Sequence, residues 1–320
     1  MKKAVLFTGM FLLVIAAVFA WLLLGPSTRF DKKTYYLEIP TGSGYTQLLA
    51  NIEQAGLFKY PAVFNFVARR LDYPARVKAG RYAIQQGSSL LSVIRMLRNG
   101  RQEPVNLVIT KLRTKEDFAS LAGRKFEFDS LAFMGYLNNN DSLRRFGFNS
   151  STIMAAVLPD TYTFYWNITP ATVMEKLSRS YSQFWTGERK QAAAAQKLTP
   201  VQVSVLASII DEETNRREEM GDIASVYINR LNSGMRLGAD PTVKFALRNF
   251  GLKRIYEKHL QVESPYNTYR VSGLPPAPSA RRRKQPSTPY CTPLQRIIFS
   301  LLPNPVFQER MYSLPITRST

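Results

Sequence analysis

Histidine and cysteine are nearly absent: His259 and Cys291 are each the only residue of their kind in 320. A single cysteine excludes an internal disulfide framework and cysteine-rich metal sites. A single histidine excludes zinc sites built on histidine clusters. It also makes any Ser-His-Asp reading depend on His259, which stands in an undistinguished "YEKHLQ" stretch and reads as structural or merely exposed. Acids are scarce as well, 23 Asp and Glu against 43 Lys and Arg, for a formal charge of +20. That excess suits nucleic acid, an anionic membrane surface or an acidic polymer. No zinc-finger spacing, RNP motif or basic helix with heptads is present, so no nucleic-acid partner is expected. Acid–base chemistry is left mainly to carboxylates.

Hydrophobic residues make up 45% of the chain and aromatics 12%, enough for a packed core. The clearest physical signal is N-terminal. After Lys2 and Lys3, no charge occurs from Ala4 to Ser27. The apolar run of about 21 residues fits the hydrocarbon core of a bilayer. "VFA" is a candidate signal-peptide cleavage site, but "WLLLG" prolongs the apolar run beyond it, so residues 1–28 are expected to be a short N-terminal end and a membrane anchor, with similar Lys/Arg flanks that leave its orientation open.

Residues 35–110 alternate in the order strand, helix, helix, strand, helix and final strand, the pattern of a small α/β unit. The charged segment from Lys111 to Asn149 reads as helical. "LPDTYTFYWN" packs Tyr162, Phe164, Tyr165 and Trp166 into five positions, suited either to a core or to stacking on sugar rings.

Five acids, Asp211, Glu212, Glu213, Glu218 and Glu219, crowd "LASIIDEETNRREEM". Thr199-Pro200 is a helix start. At 100° per residue Leu206, Ile209 and Ile210 share an apolar face. Glu213 projects between Leu206 and Ile209, whereas Asp211 and Glu212 point away and are expected to be solvated or capping. A carboxyl held against apolar groups at the negative end of a helix resists ionisation, as a general acid must. The rival expectation is an ion pair from Glu213 to Arg216 or Arg217. A second helix follows with Met220, Ile223, Ala224, Tyr227 and Leu231 inward. "GADPTV" starts another helix with Asp240 as its cap. Asp240, together with Tyr266, Asn267 and Thr268 in the turn-rich "SPYNTYRVSGLPP", is also a candidate cleft contact.

"KAGRYAI", "LPDTYTFYWN", "ASIIDEET", "IASVYINRLNSGMRLGADPTV" and "SPYNTYRVSGLPP", in this order, resemble the endolytic murein transglycosylases of bacterial inner membranes, the YceG-like family. The resemblance implies an α+β chain: an anchor, a LysM-like domain (35–110) and a catalytic domain (111–276), the last two periplasmic and the N-terminus cytoplasmic. It implies non-hydrolytic cleavage of the MurNAc–GlcNAc linkage in nascent peptidoglycan, leaving 1,6-anhydro-MurNAc ends. The catalytic acid, carried over by motif, is Glu213. No metal or cofactor is implied. The expected partners are glycan strands, the inner membrane and peptidoglycan synthases. If Asp240 supplied a second carboxylate, a hydrolytic muramidase would be the alternative.

Residues 277–320 depart from the family pattern. They carry seven basic residues against one acid, with no hydrophobic periodicity. A basic membrane- or glycan-binding tail is one reading; the expected one is a single base lost near Pro276. Read in the shifted frame, "PPAPSA" permits "PPGPIC", and "NPVFQERMYSLPITRST" permits "PGFSGTHVFATNYAEH", where Met311-Tyr312 forces the valine. On that reading the tail is out of frame, the last strands and helix of the catalytic domain are missing, and a non-catalytic peptidoglycan-binding protein is a further alternative. Sequencing the coding DNA at the Pro276 codon tests it; an intact frame in an independent isolate would sink it.

Overall fold

The computed structural model describes residues 2–110, 112–216 and 218–278. It is a mixed α+β chain that divides into two compact units, the first formed mainly by residues 1–106 and the second mainly by 107–124, 128–162 and 169 onward.

The first unit opens with helix α1 (Lys2–Leu24). Its stretch Leu6–Leu24 has a mean hydropathy of 2.5 and is long and apolar enough to cross a membrane or to serve as a signal sequence. Next come β1 (Thr34–Ile39), α2 (Tyr45–Gln54), α3 (Pro61–Arg70), β2 (Gly80–Gln85) and α4 (Leu90–Asn99). β1 and β2 pair antiparallel, from Thr34 opposite Gln85 to Ile39 opposite Gly80. Alternation sends Leu37, Ile39, Tyr82 and Ile84 to the buried face, where they meet Leu48, Ile52, Phe64, Val93, Ile94 and Leu97 from the helices. The glycine of "AGRY" has a backbone reason. Gly80 holds φ +144°, and a Cβ there would run into the Gln102 side chain.

β3 (Val105–Val108) pairs with β4 (Thr161–Phe164). Between them lie α5 (Lys115–Gly123), α6 (Ser130–Asn138) and α7 (Asn140–Arg144), so the segment read as helical and charged is helical. The aromatic stretch is split by strand alternation. Tyr162 and Phe164 are buried, and Phe164 packs edge-on against Phe126, whereas Tyr165 is exposed.

The second unit continues with α8 (Pro170–Phe184), α9 (Gly187–Ala195), α10 (Pro200–Glu213), α11 (Met220–Asn232), α12 (Asp240–Ala246) and α13 (Glu257–Leu260). α10 begins as expected. Thr199 Oγ1 accepts from the Gln202 amide, Gln202 Oε1 accepts from the Thr199 amide, and Pro200 occupies the first turn. Such a cap contributes about 1 kcal/mol.

The expected one-sided apolar face is corrected. Every residue from Val203 to Ile210 is buried. α10 is the central rod of this unit, in contact with α9, α11, α12 and the 3-10 turn Ile153–Ala156. Ser204 and Ser208 tolerate burial because their hydroxyls donate to the carbonyls of Pro200 and Val205. A helix enclosed on all sides has no solvent face. Wheel direction therefore does not sort the acids at its end.

Of the tail read as out of frame, Ala277 and Pro278 are described and buried. The rest, with Cys291 and the arginine run, lies outside the described residues.

Candidate active site

The acids at the end of α10 sort differently from the wheel expectation. Asp211 and Glu212 are half-buried and Glu213 is the exposed one. Glu212, expected to be solvated, lies 3.7 Å from Arg113, whose guanidinium also covers the Phe250 ring at 4.8 Å. Once α10 is enclosed, its last turn must find polar partners in the segments around it. The first two acids turn inward to them. Glu219 accepts from Thr214 Oγ1 at 2.8 Å and Arg216 Nη1 at 2.9 Å, closing the turn between α10 and α11. Arg216, the rival partner for Glu213, is thus engaged with Glu219. Arg217 lies outside the described residues. Glu218 is exposed.

Glu213 instead accepts a 2.7 Å hydrogen bond at Oε1 from the Tyr227 hydroxyl. Tyr227 is a buried residue of α11 that the sequence marked only as inward-facing. Oε2 of Glu213 accepts no hydrogen bond among the described residues. Solvent reaches the residue from one side, while the protein packed around the carboxyl raises its pKa above the ordinary carboxylate value. The Tyr227 donor opposes that rise, the Asp240 charge adds to it, and Lys244 opposes it. Burial, followed by the Glu213 charge, pushes the Tyr227 hydroxyl far above its usual range, so it stays a donor at any working pH.

A carboxyl with a raised folded-state pKa is neutral in both states at low pH and costs nothing there. The stability it permits is complete below its unfolded value of about 4.3 and is lost as pH rises through the folded value.

Asp240 is not the cap of α12. Ala239 occupies that position, no side chain caps the helix, and Asp240 is the first helical residue. Its Oδ1 accepts from the Tyr269 hydroxyl at 2.7 Å. Burial, then the bond to Asp240, moves the Tyr269 hydroxyl up to about 12.

Asn267 and Thr268, expected as cleft contacts, are buried and internally engaged. Asn267 Nδ2 donates to the carbonyls of Leu260 and Val262, both at 2.8 Å, and its Oδ1 accepts from the Tyr269 amide at 3.1 Å. Thr268 Oγ1 accepts from the Ala239 amide at 2.9 Å and lies 2.8 Å from Thr242 Oγ1. These bonds fix the 264–270 loop onto the start of α12 and thereby place Tyr269 on Asp240. Tyr266 is half-buried and packs on Phe245 at 4.5 Å between ring centroids. Sequence reasoning missed Tyr227, Tyr269, Thr242 and Lys244 as site residues. The helical spacing of Tyr227 after Met220 and Ala224 signalled burial but not a partner. No cluster of metal-ligating side chains occurs among the described residues.

The arrangement is chemically asymmetric. One oxygen of Glu213 is held, the other is open, and burial raises the pKa of the carboxyl above the ordinary carboxylate value. Such a group donates a proton to an incoming oxygen.

Comparison with known proteins places this geometry in context. The chain is 26% identical over 280 residues to the endolytic murein transglycosylase of Bacillus subtilis, with 81% of this chain and 75% of that protein covered. It is 24% identical over 282 residues to the endolytic murein transglycosylase of Streptococcus pneumoniae, where it spans 78% of its own length but only 50% of the relative's. A crystal structure of a YceG-like protein from Listeria monocytogenes shares the fold with a TM-score of 0.51 at 21% identity, over 84% of this chain and 91% of that one. Residues 37–285 match the YceG-like family, and since that span exceeds half of the sequence, the chain belongs to the YceG-like family.

Proposed function

We propose that the chain is a membrane-anchored endolytic murein transglycosylase in which Glu213 is the catalytic residue. The observation that carries the proposal is Glu213 itself: an open carboxyl of raised pKa, held at one oxygen by Tyr227, in a chain whose relatives bear that name. Residues 1–28 serve as the anchor, residues 35–110 as the LysM-like domain, and residues 111–276 as the periplasmic catalytic domain.

The chemistry needs one carboxyl. Glu213 Oε2 carries the proton and gives it to the glycosidic oxygen between MurNAc and GlcNAc. The C1–O bond breaks as the MurNAc ring becomes oxocarbenium-like, and the GlcNAc side leaves with its new hydroxyl. The Glu213 carboxylate then removes the proton from the MurNAc 6-hydroxyl, O6 bonds to C1, and the 1,6-anhydro ring closes. Glu213 ends protonated, ready for the next strand. Tyr227 fixes the carboxyl so that the proton sits on the open oxygen. Asp240 favours the protonated form electrostatically, and Tyr266, a half-buried ring packed on Phe245, is a candidate contact for the sugar.

Asp240 also favours a second reading, hydrolysis by a carboxylate pair, because its charge is felt at Glu213. Mass spectrometry of products from sacculi digested by the purified chain separates them. Anhydro ends, lighter by one water than reducing ends, are the expected result. Reducing ends identify a muramidase, and binding without cleavage identifies a scaffold.

Replacing Tyr227 with phenylalanine removes a donor that lowers the Glu213 pKa, so that pKa rises further. The alkaline limb of the pH–rate profile should move to higher pH while maximal turnover falls about ten-fold. An unmoved alkaline limb would show that Glu213 does not set it.

A further inference from the structure

The segment after α1 does not behave as a tether. Gly25 continues from the helix through its amide to the Trp21 carbonyl. Pro26 then bridges to Ser89, and Thr28 to Phe58. The Ser27 amide and hydroxyl both donate to the Ser88 carbonyl, at 3.1 and 2.9 Å, and the Lys59 amide donates to the Ser27 carbonyl at 2.8 Å. Thr28 Oγ1 accepts from the Gly87 amide at 2.7 Å, and the Arg29 amide reaches the Leu57 carbonyl at 3.0 Å. Ser27 and Thr28 are buried, and Leu23 packs on the core of the first unit. The unit is therefore seated directly on the end of the apolar helix.

What it presents there is basic. Residues 73–102 contain six Lys and Arg and no acid; Arg76 pairs with Asp72 at 3.2 Å and Arg81 lies 3.7 Å from Glu38, which leaves Lys78, Arg95, Arg98 and Arg101 to carry the charge. Leu24, the last residue of α1 and itself exposed, lines a hollow of about 380 Å³ together with Ser89, Ser92, Arg95, Asn99 and Arg101. A neighbouring hollow of about 690 Å³, lined by Arg76, Lys78, Arg98 and the same Asn99, extends this face. Arg95 and Arg101 are exposed, and neither makes an ion pair among the described residues. With Leu24 in the hydrocarbon edge, the hollow lies at headgroup depth, where a phosphate meets guanidinium and serine hydroxyl donors together. Trp21, exposed on α1, marks the same boundary.

The geometry points to a lipid-docking face: the α4 side of the first unit binds anionic phospholipid headgroups and holds the unit against the bilayer. This rests on the reading of α1 as a membrane anchor. Anionic lipid bound there stabilises the folded form of the face, which amide exchange detects.

The test uses the full chain in nanodiscs of phosphatidylcholine alone or mixed with phosphatidylglycerol, reading hydrogen exchange across residues 86–102. Exchange should slow on the order of ten-fold in the anionic discs at low salt, and the gain should shrink as salt screens it. Arg95→Gln with Arg101→Gln should abolish the gain, whereas the corresponding lysine pair should keep most of it. Equal exchange in both discs, or a gain that survives the glutamine pair, overturns the docking face while leaving the anchor standing. A chain that enters neither disc overturns the anchor, and the docking face with it.

Discussion

Glu213→Gln should leave the second unit folded and slow glycan cleavage between about a hundred- and ten-thousand-fold, the range that a positioned general acid–base group supplies. Glutamine keeps the shape and an oxygen to accept from Tyr227, so the unfolding midpoint should hardly move. What it lacks is a proton to give and a carboxylate to take one back, and both halves of the reaction need these. Glu212→Gln is the matched control. It removes the charge that faces Arg113 at 3.7 Å and leaves the chemistry intact. Cleavage by Glu213→Gln at the wild-type rate, or equal losses in both variants, would remove Glu213 from the catalytic role.

The second large effect is on stability. Thr268→Val should lower the unfolding free energy of the second unit by about 1–3 kcal/mol, because valine fills the same space but leaves the Ala239 amide and the Thr242 hydroxyl buried without Thr268 Oγ1. The urea midpoint measures it, with an unchanged slope expected. Thr242→Val combined with Thr268→Val should cost less than the sum of the two single changes, since the partner hydroxyl goes too. Activity should fall alongside stability, because the loop that carries Tyr269 to Asp240 is tied down here. An unshifted midpoint in Thr268→Val would mean that the buried network contributes nothing.

Local structure is legible in the sequence. Thr199-Pro200 gave the start of α10, and the alternation in "KAGRYAI" gave a strand. Apolar spacing from Met220 gave α11, whose Met220, Ala224 and Tyr227 are buried as expected. These features depend on neighbours three or four residues away, which a sequence displays directly. Two arguments single out Glu213, its motif position and its direction on the helix. Motif position selects it, but the wheel argument fails because α10 is enclosed by α9, α11 and α12, contacts that no local periodicity encodes. Asp240 is a similar case. "DPT" has the composition of a cap, yet a tyrosine 29 residues later takes its carboxylate. Asn267 and Thr268 read as cleft polarity because polar residues in turn-rich loops usually face water. Here each finds its partners inside, and that is visible only once the loop is folded back onto α12.

The enclosure of α10 has a mechanical consequence. Its start is fixed by the Thr199–Gln202 box and its length by packed side chains from Val203 to Ile210, so Glu213 is placed by counting residues along a rod that cannot slip. One residue inserted between the box and Glu213 would swing the carboxyl by about 100° and carry it about 1.5 Å along the axis. It would then miss the Tyr227 hydroxyl altogether. Substitutions along the rod can be absorbed by neighbours that repack around a new shape. A change in its residue count has no such remedy, so this chain should tolerate altered spelling in α10 far better than altered length.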